Sequence, residues 1–137
     1  MRTAEYDGER YLLVKSSGDS SLVRDPETGD ERYLPNNELT VTGDSPLVVA
    51  ASAVPEPQRR LITAVHSELV LGLLLELDRH GPLSARELLS RYDLCESDLH
   101  GKITGLRVSG LVREAEVNGE RGYAVTKLAS DALEALR

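Results

Sequence analysis

Three histidines and one cysteine are the side chains best able to do chemistry in this 137-residue chain. His66, His80 and His100 invite a metal-sensing reading, yet no pair of them lies at ligand spacing. His80, near a helix C-terminus, also suits the helix dipole. Cys95, in a turn ahead of a helix, is either a thiol activated by that helix's N-terminus or a small buried turn residue. As the lone cysteine it excludes an intramolecular disulfide and a Cys-rich four-ligand zinc site. The sequence has no glycine-rich phosphate loop, no nucleophile elbow and no His–carboxylate pairing at motif spacing, so it points away from an enzyme and implies no cofactor or metal. What remains is recognition by polar and cationic side chains carried on helices and turns.

Those side chains need elements to hold them. Gly81-Pro82 ends a long helix, Ser84 caps a short one running to Tyr92, and Asp93 to Glu96 makes the turn before a third helix over about 97–109. Leu83, Leu88, Leu89, Leu94, Leu99, Ile103 and Leu106 supply the inward positions of this helix-turn-helix, and the spacing of the last three leaves the opposite face of the third helix free. After Gly110, residues 111–117 alternate as a strand, 118–122 make a turn and 123–126 return. Asn118-Gly119 between alternating runs is a strong hairpin signal, and a hairpin in this place is a wing. Thr126 caps a final helix with Leu128, Ala132, Leu133 and Leu136 on one stripe.

Upstream, residues 11–14, 21–24 and 31–34 are short β-rich runs. They are separated by Gly18-Asp19 and by the turn 25–30, with a fourth strand possible at 39–42. So small a sheet is not stable alone. Ser45-Pro46 reads as an N-cap with proline at the first helical position of a short helix over 47–53. From Gln58, the residues Leu61, Ile62, Val65, Leu69, Leu73 and Leu77 form a seam facing a core, on one helix or on two broken near His66-Ser67. Around 69–75 the apolar character runs most of the way round, so cover is expected on a second side from the N-terminal sheet or a second subunit. The fold class expected is α+β, a small N-terminal antiparallel β-meander followed by a winged helix-turn-helix domain. The expected divisions are 1–54, a connecting helix over 55–66, and 67–137.

The net charge of -7 comes from 23 acidic and 16 basic residues, and only Lys15, Lys102 and Lys127 are lysines. Acid excess with scarce lysine and no Phe or Trp fits a protein kept hydrated in molar salt; it also fits an ordinary acidic protein from a GC-rich genome. Residues 1–54 carry 5 basic and 10 acidic groups, and residues 55–137 carry 11 and 13. The C-terminal part is therefore nearly neutral, short of the basic footprint usual in DNA binders. In high salt the counterion-release contribution to DNA affinity is weak in any case. The N-terminus lacks an apolar signal core and the most apolar run, 69–77, is about half a bilayer span. A cytoplasmic protein without membrane contact is the expectation.

The run 94–112, ending Leu106-Arg107-Val108-Ser109-Gly110-Leu111-Val112, resembles the recognition-helix signature of ArsR- and MarR-like winged-helix regulators. The resemblance covers residues 67–137. With Ser20 to Gly29 included, the whole chain is similar to an uncharacterised haloarchaeal winged-helix family. This resemblance implies a DNA-binding transcriptional regulator in which Ser97, Asp98, His100, Gly101, Lys102, Thr104 and Arg107 face the groove of double-stranded DNA. Lys102 and Arg107 then suit phosphate or guanine, Ser97 and Thr104 phosphate or bases, Arg121 a minor groove from the wing, and Arg86 a phosphate. It also implies a homodimer, joined through the 69–77 helix and the C-terminal helix. Two features pull the other way. Glu96 and Asp98 repel phosphate, and Gly101 and Gly105 leave a smooth surface that suits either a close DNA backbone or a partner's helix. The alternative is thus a winged-helix protein-interaction module in a transcription or chromosome-maintenance assembly.

Overall fold

A computed structural model describes residues 1–137, which form two compact units, Met1–Pro55 and Glu56–Arg137. The architecture is α+β, an antiparallel sheet followed by helices and a second, smaller sheet.

The first unit is a five-stranded antiparallel sheet of β1 (Arg2–Tyr6), β2 (Glu9–Ser17), β3 (Ser20–Arg24), β4 (Glu31–Pro35) and β5 (Thr40–Thr42), in the order β4-β3-β2-β1-β5. The sequence reading assigns no element to β1, whose alternation is weak. Its hairpin with β2 turns at Asp7-Gly8, where φ values of 51° and 79° suit the tight turns that right-twisted strands require. Nor is the sheet a plain meander, because β5 crosses to the far edge and pairs with β1, Ala4 opposite Val41. Tyr11 and Leu13 alternate onto the core face, Leu12 between them is buried as well, and a bulge follows between Leu13 and Lys15. Ala4, Tyr11, Leu13, Val23 and Leu34 form the core. The helix α1 (Pro46–Ala51) begins as expected on proline, but the Ser45 side chain makes no capping bond.

The second unit holds α2 (Glu56–Ala64), α3 (Glu68–His80), β6 (Leu83–Ser84), α4 (Ala85–Tyr92), α5 (Glu96–Val108), β7 (Val112–Val117), β8 (Glu120–Val125) and α6 (Lys127–Leu136). The apolar seam breaks into two helices because the Ser67 hydroxyl accepts from the Val70 N–H at 3.2 Å and starts α3 afresh. Only part of that seam faces the core. Leu61, Leu73 and Leu77 are buried, whereas Ile62 and Leu69 are 61% and 49% exposed. Leu136, expected on the inner stripe of α6, is 59% exposed one turn beyond buried Leu133. Leu74, Leu88, Leu99, Ile103, Leu106, Leu111, Ala129 and Leu133 close the core, with α2 packed against α6.

Ser84 starts α4 with a capping box. Its hydroxyl accepts from Glu87 N–H at 3.1 Å, and the Glu87 carboxylate accepts from Ser84 N–H at 3.4 Å. The same residue lies opposite Gly122 in the pairing of β6 with β8, so one short strand ties the β7–β8 hairpin to the start of α4. No helix is long and apolar enough to cross a membrane.

Candidate functional site

The left-handed Asp93, φ 52°, ends α4 and turns the chain into α5. Leu99, Ile103 and Leu106 anchor α5 in the core and set its rotation. At about 100° per residue this rotation puts Ser97, Gly101, Thr104 and Val108 on the outermost row. Asp98, Lys102 and Gly105 occupy one flank, His100 and Arg107 the other. The residues assigned to one recognition face therefore divide into a crest and two flanks.

The crest is bare and small. Beyond the helix itself, no atom lies within 4 Å of where a Cβ would stand at Gly101, or at Gly105 beside it on the first flank, and Val108 is 85% exposed. The Thr104 hydroxyl donates to the His100 carbonyl at 2.7 Å, so it meets an outside ligand only as an acceptor. Ser97 is exposed, with its oxygen 3.5 Å from the Cys95 sulfur. Because each glycine costs about 1 kcal/mol relative to alanine in a helix interior, Gly101→Ala/Gly105→Ala is expected to stabilise the second unit by about 2 kcal/mol in urea unfolding. A neutral or destabilised double variant would mean that the crest is covered in solution.

On the first flank, half-buried Lys102 helps line a groove of about 570 Å³ together with Thr63, Ala64 and Val70 of the α2–α3 side and Gly101, Gly105 and Val108 of α5. Its neighbours there include Asp98 and His66. On the second flank, Arg107 pairs with Glu114 of β7 at 3.1 Å, and Arg121 of β8 reaches an oxygen of the same carboxylate at 3.3 Å. Arg86 of α4 pairs with Glu120, also of the hairpin, at 2.7 Å. The ion pairs thus join Arg86, Arg107 and Arg121 to the hairpin's carboxylates, and Lys102 stands apart from them on the opposite flank. The pairs are solvent-exposed, and such pairs contribute at most about 1 kcal/mol each.

Sequence reasoning missed Glu114 and Glu120 as partners of these cations. The turn at Asn118-Gly119, with φ of 51° and 78°, fixes the register that brings them there. The histidines do not assemble: no group of three or more His, Cys, Asp or Glu side chains is placed to hold a metal ion. His80 instead faces Glu76 one turn away at 3.6 Å, and Cys95 is exposed.

A sequence family described as a family of unknown function (DUF7346) matches residues 1–137. No curated protein and no solved structure matches the chain.

Proposed function

The chain belongs to the DUF7346 family over its whole length, and since that family has no known function, we propose from the surface itself that the protein is a winged-helix, sequence-specific DNA-binding transcriptional regulator. The observation that carries this reading is the division of α5. A bare crest of Ser97, Gly101 and Thr104 suits the floor of a major groove, while cations on either side, Lys102 on one flank and Arg107 with Arg121 on the other, suit the two phosphate backbones that border it. The β7–β8 hairpin serves as the wing, and the element order α4, turn, α5, hairpin fits that reading. The exposed apolar residues Leu69 on α3 and Leu136 on α6 accord with a homodimer through these two helices. Half-sites then lie about one DNA turn apart.

A second reading has its own support. Ala64, Val70, Gly101, Gly105 and Leu106 give the groove beside Lys102 a small and apolar part, and Ile62 and Val108 are exposed, which suits the helix of a protein partner in an assembly. Selection from a random duplex pool at molar KCl separates the two. The DNA-binding reading expects an enriched motif, and two half-sites if the protein is dimeric. A pool that stays random after repeated rounds, with the protein folded, contradicts DNA reading and favours protein docking. The Gly101→Ala/Gly105→Ala variant is expected to bind the selected duplex about tenfold more weakly, because two methyl groups stand where the DNA floor approaches.

A further inference from the structure

We infer that Arg107 and Arg121 form a phosphodiester clamp whose ligand position is filled, in the free protein, by the Glu114 carboxylate. This rests on the DNA-binding reading and adds to it the residue that sets the affinity. Both guanidinium groups approach one atom, Oε1 of Glu114, at 3.1 and 3.3 Å, although Arg107 comes from the last turn of α5 and Arg121 from β8. In the hairpin register Arg121 lies opposite Glu116, yet its guanidinium reaches diagonally to Glu114 and towards Arg107. Convergence of this kind defines a point where two cations hold one oxyanion.

A carboxylate and a phosphodiester share the features that the fork of an arginine recognises, two anionic oxygens in a plane at similar spacing. Glu114 borders two open depressions of about 460 Å³ each, one beside Arg121 that Glu116 and Glu120 also line and one beside Arg107 and Arg113, and the second is the side from which a phosphate can reach the place where the carboxylate lies. The side chains are roughly half exposed, which keeps the internal pairs weak and exchangeable. The carboxylate thereby competes with DNA for both arginines, and it repels the incoming phosphate as well. A nearly neutral face is then compatible with DNA binding, because its cations are held in place and released on contact.

The test is fluorescence anisotropy with a short labelled duplex of mixed sequence, titrated across KCl concentrations. Glu114→Gln is expected to tighten binding about three- to tenfold relative to the wild-type chain and to steepen the salt dependence. Glu116→Gln makes the same change of charge on the same face of β7 and is expected to change affinity less than about twofold. In an Arg107→Ala/Arg121→Ala background the gain from Glu114→Gln is expected to vanish. Equal effects of Glu114→Gln and Glu116→Gln would reduce the effect to net charge and overturn the clamp while leaving DNA binding intact. Displacement of the duplex by low-millimolar inorganic phosphate would assign the site to the free anion and overturn it too. If neither the wild-type chain nor any variant binds the duplex while circular dichroism shows them folded, the DNA-binding reading fails and the clamp falls with it.

Discussion

Lys102→Ala/Arg107→Ala is expected to lower affinity for a selected duplex by about 30-fold or more, with the fold unchanged. Each contact to a phosphate or a guanine edge contributes on the order of 1 kcal/mol or above, and about 1.4 kcal/mol corresponds to a factor of ten. The two residues stand on opposite flanks of α5, so their effects should be close to additive. Neither is needed by the core: Lys102 is half-buried in a groove and Arg107 makes one exposed ion pair. Binding isotherms of the single and double variants check this. An affinity within about threefold of the wild type would remove both flanks from the interface.

A large structural effect is expected at Gly122. A Cβ there would lie 2.6 Å from the Leu83 carbonyl oxygen and 2.7 Å from a Val117 methyl, and the first of these belongs to the backbone of β6. The clash cannot be relieved by a rotamer change, so Gly122→Ala must push β6 from β8. That movement loosens Ser84, whose hydroxyl caps α4 while its backbone pairs opposite Gly122. Overpacking of this kind costs about 1–3 kcal/mol, and loss of a cap adds about 1 kcal/mol. A total near 3 kcal/mol is expected in urea unfolding. Val117→Ala in the same chain should recover only part of it, because the carbonyl contact remains. A Gly122→Ala protein within about 0.5 kcal/mol of the wild type would show that the hairpin is not fastened to α4 through this strand.

Much of the second unit can be read from local chemistry. Ser84 three residues before Glu87, Asn118-Gly119 between alternating runs, and Leu99, Ile103 and Leu106 at helical spacing each specify structure within a few residues of themselves. The misses have a common physical cause, dependence on distant partners. In β1 only Thr3 and Ala4 are buried, and what makes it a strand is its position between β2 and β5, although Asp7-Gly8 signals the hairpin. Ile62, Leu69 and Leu136 continue the apolar spacing past the point where the packed surface ends, and periodicity cannot locate that end.

The candidate site shows the same division. Which residues of α5 leave the core is fixed by the three anchors Leu99, Ile103 and Leu106, and the angle between Lys102 and Arg107 follows from the helix repeat. The pairing of Arg107 and Arg121 on Glu114 is not readable in this way, since it needs a helix end, two strands and a diagonal reach across the hairpin. That pairing also changes the meaning of the charge balance. Glu114 and Glu120 of the hairpin are the partners that hold Arg86, Arg107 and Arg121, so an excess of carboxylates is compatible with an anion-binding surface.

The most direct test of the central claim is to crosslink the tagged protein to DNA in its native cells and sequence what is recovered, beside the Lys102→Ala/Arg107→Ala variant, at the cells' own ionic strength. Sharp promoter-centred peaks that disappear in the variant are the result expected of a regulator reading DNA through α5. No enrichment over a mock sample, with the protein expressed and folded, would contradict it and leave the bare crest of α5 as a surface for docking another protein.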